Sequence, residues 1–344
     1  MPPLHLLPQI QKQGTTLNST RANPVRQASE AFMDHYSRSA RNTFSGLILS
    51  RKLPPDVPDF GQTSSRALYV VVRGDEVLFD ATQSEPLLLA QNMLGGCDQA
   101  HLQAMLLGDD GQYCYFAVNI DRLPSGTASC LGSLGTFVPL RRHAAAMPSQ
   151  LAALLGYARA AAGWHSLARF CSLCGHPTAP KPGALAQTCT NPDCGVQHFP
   201  RVNPAMIVLV HHADAHGERC LLGRQSTWNP RVYSALSGYV EPGESAEDAV
   251  LREVMEETGI KVDDVRYFSS QPWPFSDSLM LGFHARAINT EICLDETELE
   301  DARWFSRHEI PRLLDSGELV LPSAETIARH LFDAWYSHDY TDRG

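Results

Sequence analysis

The sequence predicts an α/β protein with a β-rich N-terminal domain, a short four-cysteine segment and a C-terminal domain of mixed helices and strands. Three observations predict this. Paired apolar runs separated by Gly- and Asp-rich turns are typical of β-hairpins. Two close pairs of cysteines lie between residues 171 and 194. Beyond them, strand-like runs alternate with runs of helical periodicity, so the C-terminal domain is expected to contain both helices and strands.

Residues 1–40 are polar and lack apolar periodicity, so we expect a poorly ordered tail. Residues 41–148 form the expected β-rich domain. One predicted hairpin spans residues 67–79 with its turn at Gly74-Asp75, and a second spans residues 104–118 with its turn at 108–111. No catalytic pattern is recognisable in this domain.

Size and charge narrow the possible functions. The 344 residues suffice for two or three domains. A formal net charge of −10 argues against broad, nonspecific binding to nucleic acid, yet divalent metals can bridge an acidic site to the end of an RNA. No apolar run approaches the roughly 20 residues that a membrane helix needs, and the first residues lack a basic, apolar leader. The expected location is cytoplasmic.

Residues 149–200 combine a predicted helix, residues 150–167, with the cysteine cluster. Four cysteines occur as a Cys-x2-Cys pair and a Cys-x4-Cys pair: Cys171, Cys174, Cys189 and Cys194. Two such turns supply four thiolates to one tetrahedral Zn²⁺ and leave no open position, so the zinc is expected to be structural. The alternative is free cysteines; the odd total of nine indicates a reducing compartment.

Residues 201–340 form the expected C-terminal domain. A hairpin is expected within residues 205–223, a helix from about Ala246 to Thr258, strands near 265–269 and 279–287, and a closing helix over 323–336 with Ser323 as N-cap. For the helix at 246–258, Ser245 is the candidate N-cap and Gly259 the expected end.

That helix carries the most informative chemistry. Glu253, Glu256 and Glu257 share one face because their spacings are three and four residues. Clustered carboxylates repel one another, and divalent cations that prefer oxygen ligands relieve the repulsion. The alternative is a solvated acidic helix face.

The segment from Gly238 to Ile260 resembles the Nudix box at every specified position. The resemblance implies an α/β/α sandwich with a mixed sheet and metal-dependent hydrolysis of a nucleoside diphosphate linked to another group. It implies that Arg252 orients the glutamates and that Glu244 supports the loop. The implied catalytic residues are Glu253, Glu256 and Glu257. The implied ligands of Mg²⁺ or Mn²⁺, two or more ions per site, are the Ser237 carbonyl, Glu253, Glu257 and Glu298.

Residues 270–278, here called the 270–278 segment, resemble the SQPWPFPxS motif of the NADH pyrophosphatases within the Nudix family, with Ser276 in place of a proline. That family also carries a zinc ribbon before its box. From its residues the segment is expected to be a loop that offers ring faces and hydrogen-bonding groups to a base. Trp273 or Phe275 taken alone is more typical of a core residue, but the alternation of prolines and aromatics favours a fixed pocket wall. The substrate contacts that the resemblance implies are Phe199, Tyr239, Gln271, Pro272, Trp273, Pro274, Phe275, Ser276, Asp277, Ser278, Ala328 and Arg141. Phe199 and Tyr239 match the rings between which nicotinamide stacks.

The resemblance implies a homodimer that cleaves NAD(H) to AMP and nicotinamide mononucleotide, and that removes NAD caps from RNA to leave a 5′-monophosphate. The alternatives are a Nudix hydrolase of ADP-ribose or dinucleoside polyphosphates, a nonenzymatic NAD or RNA sensor, and a zinc-ribbon interaction protein. The sequence leaves open the general base, although a metal-bound water close to Glu257 is favoured. It also leaves open the physiological choice between free NADH and capped RNA.

Overall fold

The computed structural model describes residues 43–44, 46–52, 66–94, 102–181, 185–215 and 217–337. The expected tail, residues 1–40, lies outside this range. No helix of the described residues is long and apolar enough to cross a membrane.

The N-terminal domain is a six-stranded mixed sheet with helices. Its strands are β1 (Ala67–Arg73), β2 (Glu76–Phe79), β3 (Leu88–Ala90), β4 (Met105–Asp109), β5 (Cys114–Asn119) and β6 (Thr136–Pro139). Its helices are α1 (Ser125–Gly132), α2 (Leu140–His143) and α3 (Ser149–Leu167). The strand order is β4-β5-β1-β2-β6, with β3 paired to β1. Both predicted hairpins, β1-β2 and β4-β5, are confirmed.

A small three-stranded antiparallel sheet follows α3. It consists of β7 (Thr178–Pro180), β8 (Gln187–Cys189) and β9 (Gln197–His198). The cysteine turns flank these strands. A hydrogen bond from the buried His165 of α3 to the Leu185 carbonyl, 2.9 Å long, fastens the small sheet to the helix.

The C-terminal domain repeats the topology of the first. Its strands are β10 (Asn203–Asp214), β11 (Gly217–Arg224), β12 (Leu236–Tyr239), β13 (Val262–Trp273), β14 (Ser278–Ala287) and β15 (Asp301–Ser306). Its helices are α4 (Ala246–Thr258), α5 (Ile310–Ser316) and α6 (Ile327–Tyr336). The order is β13-β14-β10-β11-β15, with β12 on β10. In each sheet the central strand, β1 or β10, is parallel to one partner strand and antiparallel to two.

Strand alternation makes the C-terminal domain an α/β/α sandwich. Met206 and Val208 of β10 point to one face, where they pack with Ala249 and Val254 of α4. Ile207 and the other intervening residues point to the opposite face, against α6. Because side chains alternate along a strand, the single run 205–210 supplies both cores. The predicted α/β/α sandwich with a mixed sheet is confirmed.

Two local predictions need correction. The closing helix begins at Ile327 and its N-cap is Thr326, whose hydroxyl accepts from the Arg329 N–H at 3.3 Å; the expected N-cap Ser323 lies one turn earlier. The 270–278 segment is not a free loop. Residues 270–273 end β13 and Ser278 begins β14, so only residues 274–277 form the turn between these strands.

Candidate active site and zinc centre

Helix α4 presents the carboxylates and is fixed at both ends. At its start, the Ser245 hydroxyl accepts from the Asp248 N–H at 3.1 Å, and the Asp248 carboxylate accepts from the Ser245 N–H at 3.2 Å. At its end, Gly259 adopts φ 68°, the left-handed conformation that favours glycine. Both predicted helix boundaries are confirmed, and they set which residues face the sheet.

Three carboxylates meet beside β12. Oxygen atoms of Glu253, Glu257 and Glu298 lie within 4.8 Å of one another. Glu257 is only 5% exposed, and its Oε2 has no hydrogen-bond partner among the described residues. A methyl group on Gly238 would lie 2.0 Å from the Glu253 carboxyl carbon. The strand backbone therefore presses against the carboxylates, which only glycine permits.

The electrostatics of this cluster favour a cation. Burial, followed by the charges of Glu253 and Glu298, raises the pKa of Glu257 to about 8. Burial also raises the pKa of Glu253, against the lowering effect of Arg252. Buried, mutually repelling carboxylates with an uncommitted oxygen fit a divalent cation, whose preferred ligands are oxygens. Glu253, Glu257 and Glu298 are the side chains that would hold it.

Arg252 organises the rest of the box. It donates to both oxygens of Glu244, at 2.7 and 3.1 Å, and to the Tyr239 carbonyl at 2.9 Å. Its Nη1 lies 2.9 Å from Glu253 and 3.0 Å from Glu256. Glu244 is held in turn by the Glu241 N–H at 2.7 Å. Arg252 thus carries the orienting contacts predicted for it.

Glu256 lies outside the carboxylate cluster. Its side chain is 57% exposed and pairs with Arg252, and it is absent from the group formed by Glu253, Glu257 and Glu298. Its predicted catalytic role therefore depends on Arg252 or on a further ion.

A cavity of about 560 Å³, here called the Ser237 cavity, lies next to the box. Five residues singled out from the sequence line it: Arg141, Ser237, Gln271, Trp273 and Ala328. Trp228 and Asn229, which precede β12, line it as well. The cavity brings the start of the box, the 270–278 segment and helix α6 to one place.

The other substrate positions lie elsewhere. Phe199 and Tyr239 are 62% and 53% exposed, so their rings are open to a ligand, but they are not among the residues lining the Ser237 cavity. A second cavity of about 570 Å³, here called the Gly156 cavity, is lined by Gly156 and by six members of the segment: Ser270, Pro272, Trp273, Pro274, Asp277 and Ser278.

Two further members of the segment are engaged within the protein. Phe275 packs edge-on against Trp273, with ring centroids 5.3 Å apart. The hydroxyl of Ser276, the residue that departs from the motif, lies 2.9 Å from that of Ser278. Ser276 therefore closes the turn by a hydrogen bond between the two hydroxyls. A proline at this position has no hydroxyl and could not form this bond.

Gln271 is committed to the protein backbone. It is fully buried, and its amide donates to the Thr43 and Glu325 carbonyls at 3.0 and 2.8 Å. Its Oε1 accepts from the Ile327 N–H at 2.8 Å. The amide thus satisfies the first turn of α6, and Gln271 shapes the cavity wall by holding β13 and α6 together.

The four cysteines converge as predicted. Their sulfurs all lie within 4.8 Å of one another, with Cys174 and Cys189 at 3.4 Å. The glycines after the two pairs have φ of 73° and 57°, as tight turns require. The backbone N–H of His176 lowers the pKa of Cys174 to about 6. Four converging sulfurs, one of them readily ionised, fit a structural Zn²⁺.

Sequence reasoning missed several residues. His198 lies with its Nε2 3.3 Å from the Cys171 sulfur, which suits a hydrogen bond that orients a zinc ligand. Phe44 and Arg159 reach the 270–278 segment from far away in sequence. Trp228 lines the Ser237 cavity. No local pattern marks the last three. The contacts of Phe44 and Arg159 exist only once the two large domains pack together, and Trp228 lies in the connection between β11 and β12.

Three domain models match the chain in succession. They are an NADH pyrophosphatase-like rudimentary NUDIX domain over residues 66–164, an NADH pyrophosphatase zinc ribbon domain over 166–199 and a NUDIX domain over 202–327. The first match accounts for the repeated topology: the N-terminal domain, recognised from sequence only as β-rich, is a Nudix-like sheet without the box.

The chain is also similar to curated proteins. It is 39% identical over 237 residues to the NAD-capped RNA hydrolase NUDT12 of Macaca fascicularis, covering 66% of this chain and 51% of that protein. It is 45% identical over 196 residues to the NAD-capped RNA hydrolase NudC of Stutzerimonas stutzeri, covering 57% and 66%. The matches thus span about half to two thirds of these relatives. A solved NUDIX hydrolase from Nitrosomonas europaea gives a TM-score of 0.40 at 17% identity, over 51% of this chain and 93% of that one.

The box geometry, the four-cysteine ribbon and the three domain matches agree in order and position. The chain therefore belongs to the Nudix hydrolase family and carries the zinc ribbon and rudimentary Nudix domain described for NADH pyrophosphatases.

Proposed function

We propose that the chain hydrolyses the pyrophosphate bond of NAD(H), giving AMP and nicotinamide mononucleotide. On RNA with a 5′ NAD cap, the same cleavage leaves a 5′-monophosphate end. One observation carries the proposal: Ser237, immediately before the box, lines the same cavity as Trp273 and Ala328. Strand β12, whose Gly238 lies against the Glu253 carboxylate, and the 270–278 segment thus adjoin one cavity.

Each part of the site has a separate task. Arg252 holds Glu253 in place and is itself held by Glu244. Glu257 offers a buried oxygen that no described residue engages. Bound Mg²⁺ or Mn²⁺, two or more ions held by Glu253, Glu257 and Glu298, supplies charge neutralisation for the pyrophosphate and activation of a water.

The nicotinamide end is assigned to aromatic residues. Phe199 and Tyr239 have exposed rings suited to stacking, and Trp273 supplies an apolar wall to the cavity. Arg141 lines the same cavity, and we assign it a phosphate contact. The adenosine side must be loosely held if an RNA is to continue from it.

The test compares three substrates. The protein is incubated with NADH, NAD-capped RNA and ADP-ribose in Mg²⁺ or Mn²⁺, beside Glu257→Gln. The matched control is Glu247→Gln, which changes an exposed carboxylate on the same helix outside the cluster. We expect metal-dependent release of nicotinamide mononucleotide, lowered about 100-fold or more by Glu257→Gln and unchanged by Glu247→Gln.

The other outcomes separate the alternatives. Cleavage of ADP-ribose without cleavage of either NAD substrate would favour the alternative Nudix substrates. Binding of NADH without cleavage would favour a sensor. Equal activity of Glu257→Gln and the unaltered protein would remove Glu257 from the catalytic set.

We also propose a homodimer and retain the expected cytoplasmic location. Large apolar side chains along the ribbon and its flanks are 62–78% exposed, and the core of a homodimer interface is more apolar than the rest of a protein surface. They are Leu167, Phe170, Leu173, Phe199 and Val202. Light scattering checks the dimer: a monomeric mass would contradict it, and Phe170→Ser is expected to weaken it.

A further inference from the structure

The turn at residues 274–277 is held by the rudimentary N-terminal domain as well as by the domain that contains it. Helix α3 approaches so closely that a methyl group on Gly156 would lie 3.0 Å from the Pro274 ring and 2.9 Å from the Phe44 ring. Glycine at this position therefore allows the helix backbone to press on the turn. The contact covers residues that the sequence assigns to substrate selection.

Arg159, one turn further along α3, connects three partners. Its Nη1 donates to the Pro274 carbonyl and lies 3.3 Å from the Asp277 carboxylate. Its Nε and Nη2 donate to Asp75 at 2.9 and 2.6 Å. Asp75 lies between β1 and β2, so the guanidinium joins the N-terminal hairpin to the turn. The Arg159 side chain is only 14% exposed.

The contact with Arg159 helps to stabilise an uncommon backbone conformation at Asp277. Asp277 adopts φ 51°, a left-handed conformation uncommon for a residue other than glycine. Its carbonyl accepts from the Asn203 N–H at 2.9 Å, and its carboxylate faces Arg159. Such a conformation persists only where the surroundings hold it. Arg159 and Asn203 hold it from two sides.

The position of the turn determines where Trp273 lies. The Phe44 ring packs edge-on against Trp273 and Phe275, with centroids 6.3 and 5.5 Å away. Arg141 lies 5.7 Å above Trp273. Trp273 lines both the Ser237 cavity and the Gly156 cavity. A shift of the turn toward the Gly156 cavity would therefore move the wall of the Ser237 cavity.

We propose that Arg159 is a positioning residue for substrate selection, through which the rudimentary domain sets the shape of the 270–278 segment. The proposal rests on the proposed function for its substrate. The bridge requires arginine, because its planar fork donates in several directions at once, whereas lysine offers a single point charge. The rudimentary domain has no Nudix box, but through Arg159 it contributes to the reaction of the C-terminal domain.

The experiment compares Arg159→Met, Arg159→Lys and Asp75→Asn. Asp75 is 68% exposed, so Asp75→Asn removes half of the bridge without exposing the core. The matched control is Arg73→Met, which removes an arginine–carboxylate pair, Arg73 with Glu76, from the same hairpin away from the turn. Each variant is measured for hydrogen–deuterium exchange over residues 270–279 and for kcat and KM on NADH and ADP-ribose.

We expect faster exchange over residues 270–279 in Arg159→Met, a smaller change in Asp75→Asn and none in Arg73→Met. For NADH, Arg159→Met should lower kcat/KM about 10- to 100-fold, mainly through KM. For ADP-ribose, which lacks nicotinamide, the fall should be several-fold smaller. Arg159→Lys should not restore NADH selectivity.

Two results would overturn the proposal. One is an unchanged rate of hydrogen–deuterium exchange over residues 270–279 in Arg159→Met. This result does not depend on which substrate the protein cleaves. The other is an equal loss on both substrates, which would indicate a general structural effect. An unaltered protein that cleaves neither NAD substrate would instead contradict the proposed function, while the exchange measurement would still decide the role of Arg159.

Discussion

Replacing Gly238 by alanine is expected to remove most of the activity while leaving the fold intact. The added methyl would lie 2.0 Å from both Cδ and Oε1 of Glu253 and 2.4 Å from Oε2. Since carbon atoms in contact prefer about 3.5–4.0 Å, the carboxylate must move by about 1.5 Å or more. Gly238 lies outside the left-handed region, so alanine suits its backbone.

The substitution is expected to reduce activity and to leave the stability of the fold nearly unchanged. The Glu253 carboxylate is the end of a flexible side chain, so it can swing away while the strand stays in place. We therefore expect the free energy of unfolding to change by about 1 kcal/mol or less. A displacement of about 1 Å at reacting groups can cost about 100-fold in rate, and kcat/KM should fall at least that far.

The assay pairs nicotinamide mononucleotide release from NADH with thermal unfolding and with Mn²⁺ titration of the free protein. Gly126→Ala is the matched control, because nothing lies within 4 Å of its added methyl and its helical backbone accepts alanine. Activity of Gly238→Ala within threefold of the unaltered protein would refute the reasoning. So would a loss of stability large enough to account for the lost activity.

Three further predictions concern residues that hold the site together. Gln271→Leu leaves the buried Ile327 N–H without its acceptor. We therefore expect the free energy of unfolding, measured by denaturant titration, to fall by about 2–4 kcal/mol. Lost activity at unchanged stability would instead indicate that Gln271 contacts the substrate directly. Burial lowers the pKa of His165 below 6.5, against the raising effect of its hydrogen bond to Leu185. The unfolded chain therefore binds more protons, and stability should fall as pH drops below about 6.5. His165→Asn should flatten this dependence of the melting temperature, and an identical pH profile would contradict the assignment. Cys171→Ser should lower bound zinc, by metal analysis, together with the melting temperature; full zinc retention would exclude Cys171 as a ligand.

The chemistry of the box could be predicted from sequence because it is local. Ser245 caps the helix and Gly259 ends it, so the spacing of Glu253 and Glu257 already places both carboxylates on one helix face. The cysteine pairs are local in the same sense, since each pair forms its own turn. The uninterrupted apolar run at residues 205–210 is likewise typical of a strand buried on both faces.

The boundaries and contacts of the 270–278 segment could not be predicted in this way. As a sequence it reads as a proline-rich loop, yet β13 runs through Trp273 because it pairs with β14 over that length. Gln271 reads as a substrate contact, yet it satisfies the start of α6. The closing helix begins later than the predicted N-cap Ser323, since Thr326 caps it and the buried Gln271, distant in sequence, accepts from the Ile327 N–H.

The sequence by itself determined the family, the metal-binding helix and the zinc ribbon, since each depends on spacings of a few residues that local geometry turns into a face or a turn. Only the tertiary structure decided that the N-terminal domain repeats the Nudix topology and that its helix α3 holds the turn at 274–277. The physical reason is separation along the chain. Arg159 and Asp277 are 118 residues apart, and their contact exists only because two separately formed sheets pack across α3.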